Sequence, residues 1–312
     1  MTQTALITGA RGFLGRHAAR RLRADGWTVL GIGRGRWSDA EAWGVGRWQE
    51  GSISLDGLLA MNVVPDLIVH CAGTSTVGAC LSVPLDAFES TMGSTLAVLE
   101  FTRLCCPSAL LVFTSSAAVY GKAAKQPIGE DASQHPVSLY GTLKKQAEEQ
   151  CAAFSCYFGL HTLALRVFSA YGVASQKQLL WDACLKVQAG DSIFSGTGDE
   201  VRDWVDVSDI ASLLSVIADR RTRFSGFRAL NVSTGIGTDI RTVLKMLFRE
   251  LGSEMLPSFD GEKREGDPPA YIGNNSSARS LGWAPQVDLE RGLKNYARWF
   301  LTVSKREAIF PA

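Results

Sequence analysis

The sequence lacks the features that would mark a membrane, metal-binding or nucleic-acid-binding protein. No apolar run approaches the roughly 20 residues that a bilayer-spanning helix requires. The seven cysteines form no Cys-x-x-Cys pair, and none lies near a histidine at zinc-finger spacing, so we expect no metal site. Lysine and arginine are spread along the chain and the net charge is only +1, which predicts no binding to nucleic acid or to an anionic membrane.

Two further absences bear on where the protein works. An odd number of cysteines without a secretion signal is typical of a reducing compartment, and we expect a cytoplasmic location. The first residues, MTQTALITGARG, run into a strand-like segment and then glycines, which is not the pattern of a signal peptide. What remains, 312 residues that are 46% hydrophobic and 20% charged, is an ordinary globular composition with enough length for a large core.

Short apolar runs alternate with helix-length segments through the first half of the chain. The predicted strands cover residues 4–8, 28–33, 66–72, 109–116 and 161–169, and the predicted helices cover 12–25, 85–104 and 138–158. Continuous apolar strands separated by helices form parallel sheets that are covered on both faces. We therefore predict an α/β fold with a Rossmann-type doubly wound parallel sheet.

The pattern is less regular from about residue 169 onward. Helices are predicted over 178–190, 207–221 and 239–252, with a buried strand at 229–235 and a loop over 253–278. We predict a sheet domain over residues 1–168, to which the strand near 229–235 returns, and a smaller C-terminal lobe over 169–312.

Three glycines lie between the first strand and the first helix. In TGARGFLG, Gly9, Gly12 and Gly15 are spaced G-x-x-G-x-x-G, which differs from the common dinucleotide fingerprint G-x-G-x-x-G. Such glycines permit a tight turn, let backbone approach a pyrophosphate and let the helix pack closely on the strand. The helix N-terminus then faces the phosphates with its N–H groups. A glycine-rich loop without a ligand is the alternative, but its place after the first parallel strand favours dinucleotide binding.

The end of the second strand indicates which nicotinamide cofactor binds. An Asp or Glu there would bind the adenosine ribose 2′-hydroxyl, but the position is Gly33, followed by Arg34. Arg11, inside the glycine loop, can reach the same place, and arginine suits a 2′-phosphate better than a hydroxyl. The sequence predicts NADP(H), with NAD as the alternative if these arginines are only solvated.

Polar side chains end the fourth predicted strand and open the next helix. Ser115 and Ser116 lie at the carboxyl edge of the sheet, where ligands gather, and Tyr140 and Lys144 share one helical face. Because Tyr-x-x-x-Lys also occurs by chance, this position is what favours a catalytic pair. A lysine charge at about 4 Å, with an effective dielectric near 20, is worth roughly 4 kcal/mol. We expect it to lower the phenol pKa by about three units, to near 7, which would make Tyr140 a base for oxidising a sugar alcohol.

Seven segments in order resemble those of a known family: TGARGFLG, DLIVHCAG, FTSSAAVYG, YGTLK, LRVFSAYG, GTGDEVRDWVDVSDIA and REGDPPAYIGNNSSARSLGWAP. Over nearly its whole length the chain resembles the extended short-chain dehydrogenases/reductases of the NAD(P)-dependent nucleotide-sugar epimerase/dehydratase type, in particular UDP-glucose 4-epimerase-like proteins. The resemblance implies that residues 1–168 bind NAD(P) and that 169–312 mainly bind a nucleotide-diphosphate sugar. It also implies a catalytic triad of Ser116, Tyr140 and Lys144.

The resemblance and the loop residues together give the expected contacts. The expected cofactor contacts are Gly9, Arg11, Gly12, Phe13, Leu14, Gly15, Arg34, Cys71, Ala72, Gly73, Thr114, Tyr140 and Lys144. The expected substrate contacts are Ser116, Ser169, Arg202, Arg264 and Tyr271, of which the two arginines match residues that grip a diphosphate. The alternative for each of these arginines is a surface salt bridge.

Alanines stand where the family's dehydratases carry an Asp-Glu pair. Ala117 and Ala118 directly follow the catalytic serine, and methyl groups cannot move protons, so 4,6-dehydration is not expected. Oxidation and re-reduction at one carbon, a 4-epimerisation, is the favoured function.

Three departures from the family pattern keep other functions open. Ser169 replaces an Asn, Thr91 or Ser90 replaces the Asn of a helix, and Gly33 replaces the acid at the cofactor end. A missing acid suits a reductase that exchanges NADPH, so an NADPH-dependent 4-keto-sugar reductase is the alternative. A non-catalytic dinucleotide-binding protein is the third possibility, although such chains tend to lose the tyrosine or the lysine.

The resemblance also implies a homodimer. The helices predicted at 85–104 and 138–158 would pair with their copies in a four-helix bundle, through outward faces with Leu96, Leu99, Cys151 and Phe154. The alternative is that these four residues face the sheet.

Overall fold

Strands and helices alternate through most of the chain. The computed structural model describes residues 3–123, 125–262 and 268–309. The strands are β1 Thr4–Thr8, β2 Thr28–Gly33, β3 Arg47–Glu50, β4 Leu67–His70, β5 Leu110–Ser116, β6 His161–Val167, β7 Ser169–Tyr171, β8 Ile193–Phe194, β9 Val201–Asp206, β10 Phe227–Val232, β11 Gly237–Asp239, β12 Ser258–Phe259 and β13 Ala270–Tyr271. The helices are α1 Phe13–Ala24, α2 Leu55–Leu59, α3 Val77–Ser82, α4 Pro84–Phe88, α5 Ser94–Cys105, α6 Leu139–Phe158, α7 Gln178–Gln188, α8 Val207–Asp219, α9 Ile240–Glu250, α10 Ser276–Ser280 and α11 Leu289–Ile309.

A seven-stranded sheet has the order β10-β6-β5-β4-β1-β2-β3, and every neighbouring pair is parallel. The chain runs outward from β1 to β3 and then returns to β4 on the other side of β1. The strand order therefore reverses between β1 and β4, at the switch point where doubly wound sheets bind ligands. The predicted Rossmann-type sheet is confirmed.

The strands are apolar because helices cover both faces of this sheet. Along β1, Ile7 belongs to the cluster beneath α1 and α8, whereas Leu6 belongs to the cluster beneath α5 and α6. Alternate side chains thus enter opposite layers, which is the reason the strands read as continuous hydrophobic runs.

A second, four-stranded sheet is centred on β9. That strand pairs in parallel with β7 and β13 and antiparallel with β11. Asp203 on β9 is fully buried and accepts hydrogen bonds from the backbone N–H groups of Thr234, Gly235 and Gly273, at 2.7, 2.9 and 3.2 Å. The carboxylate therefore ties β9 to the segments that follow β10 and β13.

Several elements differ from those predicted. β3 and α11 were not predicted, and the predicted loop over 253–278 contains β12, β13 and the start of α10. The predicted helix over 85–104 is interrupted by a π-helical turn at Glu89–Gly93. Among the helices that the structure describes, none has both the length and the apolar character that crossing a bilayer requires. Within the same residues, no group of three or more His, Cys, Asp or Glu side chains could hold a metal ion.

The predicted outward positions on α5 and α6 are wrong for two of the four residues. Leu99 and Cys151 have no exposed surface and pack in the cluster between these helices and the sheet. Leu96 is 40% exposed, and Phe154 packs partly against the same cluster. Leu99 and Cys151 therefore lie on the faces of α5 and α6 that pack against the sheet.

Candidate active site

In the turn after β1, glycines at three positions form a cradle of closely approaching backbone. Gly9 has a left-handed φ of 66°, and a Cβ there would lie 2.8 Å from the backbone nitrogen of Ala72. Gly12 is the N-cap residue of α1 and donates its N–H to the Gly9 carbonyl over 2.8 Å. Gly15 is buried against the Gly9 backbone. This close approach, with the helix N-terminus beside it, fits the pyrophosphate of a dinucleotide.

The two residues between these glycines form the first turn of α1. The Phe13 ring meets the His17 ring edge to face, with centroids 5.9 Å apart, and Leu14 packs against the core. Both side chains thus have contacts within the protein, so a cofactor would contact the backbone N–H groups of these two residues.

Arginines replace an acid at the end of β2. Gly33 is buried beneath Trp48, and a Cβ there would lie 2.8 Å from Cη2 of the indole ring. Arg34 is exposed, and Nη1 of Arg11 donates to its carbonyl over 3.4 Å. The structure therefore brings the two predicted arginines to the same end of the sheet.

The segment after β4 lies across the cradle from Gly9. The N–H of Cys71 donates to Thr8 O over 3.1 Å, and that of Ala72 donates to Thr8 Oγ1 over 3.3 Å. Gly73 follows with a φ of 132°. Burial raises the pKa of the Cys71 thiol to about 12, so the thiol is neutral at physiological pH.

The π-helical turn holds the next residue of this segment. Thr74 N–H donates to Thr91 Oγ1 over 3.3 Å, and the hydroxyls of Thr74 and Ser90 are 2.8 Å apart. Ser90 and Thr91, one of which was predicted to replace an Asn of the family, therefore position the loop beside the cradle.

Ser116 and Tyr140 meet at the carboxyl end of β5. α6 begins one residue after its N-cap, Ser138, whose hydroxyl accepts from Gly141 N–H over 3.1 Å. A Cβ at Gly141 would lie 2.5 Å from the Ala118 carbonyl, so this glycine lets the helix press against the turn that follows Ser116. The Tyr140 phenol therefore lies near the Ser116 side chain, which acts to lower its pKa.

Lys144 lies on the same face, one turn further along α6. Its Nζ is 5.9 Å from the centroid of the Tyr140 ring and donates to the Thr114 carbonyl over 2.8 Å. Only 5% of Lys144 is exposed. The predicted triad residues and Thr114 are thus brought together.

The predicted lowering of the Tyr140 pKa to near 7 is wrong for this structure. Burial raises the pKa of Tyr140 above its ordinary value, and the nearby Ser116 side chain offsets only part of this rise. The Lys144 ammonium lies over the ring and its hydrogen bond goes to Thr114 O. Burial also lowers the pKa of Lys144 to about 8, although Cys71 and Glu148 oppose this. At neutral pH Tyr140 is therefore a protonated phenol beside a charged ammonium.

A cavity of about 150 Å³ opens beside Ser116. Its walls are Ser116, Ala117, Ala118, Val167, Phe168, Ser169, Arg202 and Tyr271. The Arg202 guanidinium lies 5.7 Å from the Tyr271 ring centroid, and its Nη1 donates to the Pro268 carbonyl over 3.0 Å. Four of the five predicted substrate contacts share this cavity, and the fifth, Arg264, lies outside the described residues.

A buried ion pair lies behind the triad. Glu148, one turn after Lys144, accepts from Nη2 of Arg166 over 2.8 Å, and the two side chains are only 3% and 5% exposed. Ser115, the neighbour of Ser116, donates its hydroxyl to the same carboxylate. The pair therefore joins α6 and β6 to the strand end that carries Ser116.

Three features that shape the site were not predicted from the sequence. His70 is fully buried between Thr8 Oγ1, 2.6 Å from Nδ1, and Thr95 Oγ1, 3.2 Å from Nε2, and burial lowers its pKa to about 3. The Trp48 ring and the Glu148–Arg166 pair are the other two. The available signal in the sequence was Arg166, a charged residue inside the apolar run LALRVF, which indicates a buried partner of opposite charge.

The chain is similar to known proteins over most of its length. Residues 5–233 match the model of the "NAD dependent epimerase/dehydratase family". The chain is 28% identical to UDP-glucose 4-epimerase of Rhizobium leguminosarum bv. trifolii, covering 95% of this chain and 97% of that protein. It is 30% identical to UDP-glucuronate 4-epimerase 3 of Arabidopsis thaliana, with coverages of 96% and 76%.

A solved structure agrees with the sequence matches. The crystal structure of UDP-glucose 4-epimerase from Brucella ovis in complex with NAD superposes with a TM-score of 0.86 at 27% identity, covering 96% of this chain and 98% of that one. The resemblance found in the sequence is thereby confirmed. The chain belongs to the NAD dependent epimerase/dehydratase family and is an enzyme of the extended short-chain dehydrogenase/reductase type.

Proposed function

We propose that the protein is an NAD(P)-dependent nucleotide-sugar 4-epimerase that acts on a UDP-sugar. The observation that carries this proposal is the placement of Tyr140, Ser116 and Lys144 around the end of β5, beside a cavity that Ser116 and Arg202 line. A phenol and a hydroxyl converge where a sugar hydroxyl would lie. The relatives named above are 4-epimerases of UDP-glucose and UDP-glucuronate, which supports the same reaction and class of substrate.

Each triad residue has a distinct part in the proposed reaction. The sugar C4 hydroxyl gives its proton to the ionised Tyr140, and the same phenol returns a proton to the C4 oxygen when the ketone is reduced. Ser116 hydrogen-bonds that oxygen and stabilises the charge that develops on it. A bound nicotinamide supplies the acceptor and then the donor of the C4 hydride. One N–H of Lys144 donates to Thr114 O, and we assign the others to the nicotinamide ribose.

The raised pKa of Tyr140 suits the second half of this reaction. A phenol that is protonated at neutral pH holds the proton that the C4 oxygen takes up when the ketone is reduced. The first half requires the ionised phenol, and the positive charge of an oxidised nicotinamide bound beside the ring would favour that form.

Alanine at two wall positions supports epimerisation over 4,6-dehydration. Ala117 and Ala118 line the cavity directly after Ser116. Neither side chain can take or give a proton, so the cavity offers no acid–base pair there for the removal of water.

The diphosphate and the sugar of the substrate are assigned to different residues of the C-terminal lobe. We assign the diphosphate to Arg202, because a guanidinium forms paired hydrogen bonds with phosphate oxygens, and the sugar to the walls formed by Ser169 and Tyr271. Arg264 stays a prediction for the same diphosphate. In this proposal residues 1–168 bind the dinucleotide and 169–312 mainly bind the nucleotide sugar.

NADP(H) is the proposed cofactor, with NAD as the alternative. Gly33 offers no carboxylate to a ribose hydroxyl, and two arginines, Arg11 and Arg34, lie beside it. The same observation favours the second candidate function, an NADPH-dependent 4-keto-sugar reductase, because a reductase must exchange its cofactor in every turnover.

One incubation separates these candidates. Purified protein is mixed with UDP-glucose or UDP-glucuronate without added cofactor, and the products are examined for the 4-epimer. Epimer formation supports the epimerase, whereas NADPH consumption that requires a keto-sugar supports the reductase. Dinucleotide binding without turnover on either substrate class would support a non-catalytic protein and contradict both enzymatic proposals.

We also propose that two copies pair through α5 and α6 and their neighbours. Large apolar side chains are exposed here, among them Leu81 and Leu85 at 67% each, Phe88 at 52%, Leu104 at 51% and Tyr157 at 79%. α5 packs beside α6, so two copies would form a four-helix bundle that removes these side chains from water.

A further inference from the structure

Two glycines on one face of β2 make room for an indole ring. Gly31 and Gly33 are two residues apart, so they face the same side of the strand. Trp48 on β3 pairs with Gly31 in the sheet register, and its ring covers both glycines. A Cβ at Gly31 would lie 3.2 Å from Cε3 of the ring, and one at Gly33 would lie 2.8 Å from Cη2. The second distance is one that real Cβ contacts essentially never show.

Contacts on other sides keep this ring in place. Trp48 meets Trp37, which is 8% exposed, edge to face with centroids 5.2 Å apart. Its Nε1–H donates to the Gly35 carbonyl over 3.2 Å. The ring therefore has little freedom to move aside for a side chain at Gly33.

The same ring orders the turn that carries the arginines. Gly35 has a left-handed φ of 76°, and a Cβ there would lie 2.7 Å from Nη1 of Arg11. That nitrogen donates to Arg34 O, while Trp48 holds Gly35 O. The turn is thus fixed from both sides, with Arg34 exposed between the two contacts.

We propose that Trp48 is the residue that sets cofactor preference, by excluding an acidic side chain from position 33 and by fixing the Arg34 turn for a 2′-phosphate. The inference rests on the proposed binding of NADP(H) at the glycine cradle. According to this proposal, introducing an acid at Gly33 is not enough to obtain an NAD-binding site. The indole must be removed as well.

The steric part is tested without any cofactor. Thermal unfolding is measured for wild type, Gly33→Ala, Trp48→Leu and the double variant. Gly33→Ala alone should lower the unfolding temperature by about 2–6 °C, the range expected for an overpacked site. In the Trp48→Leu background, Gly33→Ala should lower the unfolding temperature only slightly. Gly51→Ala is the matched control, because a Cβ there has no atom within 4 Å. If Gly33→Ala lowers the unfolding temperature equally in the wild-type and Trp48→Leu backgrounds, the proposal is overturned.

The specificity part is tested by fluorescence titration with NADPH and NADH. Wild type should bind NADPH at least tenfold more tightly. Gly33→Asp alone should gain no affinity for NADH, whereas Gly33→Asp combined with Trp48→Leu should reverse the preference. A wild-type preference for NADH would refute the proposed cofactor even if the unfolding data show the steric coupling. If Gly33→Asp alone binds NADH as tightly as the double variant does, the role of Trp48 is refuted, whereas the cofactor assignment is left intact.

Discussion

Removing Arg166 should destabilise the protein far more than removing an exposed arginine. Nε of Arg166 lies 3.1 Å from each oxygen of Glu148, and Nη2 lies 2.8 Å from one of them. Its Nη1 donates to Tyr120 OH over 3.0 Å and to Glu130 O over 2.8 Å. Arg166→Met deletes all five hydrogen bonds and keeps most of the side-chain volume. The Glu148 carboxylate is then left buried without its counter-charge.

The magnitude follows from this burial. Removing one partner of a buried ion pair typically costs about 3–5 kcal/mol, because the remaining charge is uncompensated. At roughly 2 °C per kcal/mol for a chain of this size, the unfolding temperature should fall by about 6–10 °C. Differential scanning calorimetry at pH 7 measures the change.

Two further variants test the reasoning. Arg103→Met breaks a half-exposed pair with Glu100, whose side chains are 36% and 34% exposed, and should leave the unfolding temperature nearly unchanged. Combining Glu148→Gln with Arg166→Met removes both buried charges and should restore part of the loss. Equal effects of Arg166→Met and Arg103→Met would refute the account, as would a double variant whose loss is the sum of the single ones.

Three other predictions concern charge and assembly. Burial lowers the pKa of Lys144 from 10.5 to about 8, so the wild type should gain stability relative to Lys144→Met as pH rises from about 8 to 10.5, in paired thermal scans. Burial lowers the pKa of His70 from 6.5 to about 3, so its contribution to stability is complete above pH 6.5 and is lost as pH falls to about 3; His70→Gln should show a smaller acid-induced decrease in unfolding temperature. Tyr157→Glu should shift a dimer toward monomer in light scattering, whereas Leu256→Glu, at a site 70% exposed and outside α5 and α6, should not; a monomeric wild type would contradict the proposed interface.

Elements with a strong local pattern could be predicted closely. The helix predicted at 12–25 is Phe13–Ala24, and the one predicted at 138–158 is Leu139–Phe158. Each has glycine or serine as its N-cap residue and a glycine one or two residues after its last residue, which are local signals of helix ends. The edge strand Arg47–Glu50 was missed because three of its four residues are polar, and an edge strand needs fewer apolar side chains.

Features that depend on distant segments could not be predicted. The spacing of Tyr140 and Lys144 gives a shared helix face, but it does not reveal that Thr114 O accepts the ammonium hydrogen bond. The predicted phenol pKa was wrong because burial raises it and outweighs the lowering effect of the nearby Ser116 side chain. Leu99 and Cys151 were likewise assigned outward by resemblance, although the sides of α5 and α6 that carry them cover the sheet.

The central claim is that Tyr140 moves the proton of a sugar hydroxyl. Its most direct test is the rate of 4-epimer formation from UDP-glucose and UDP-glucuronate, followed by proton NMR for wild type and Tyr140→Phe, with unfolding temperature as the control for folding. Phenylalanine keeps the ring but cannot transfer a proton, so the rate should fall by a factor of about 10²–10⁴ at an unchanged fold. Epimerisation by Tyr140→Phe at the wild-type rate would contradict the account.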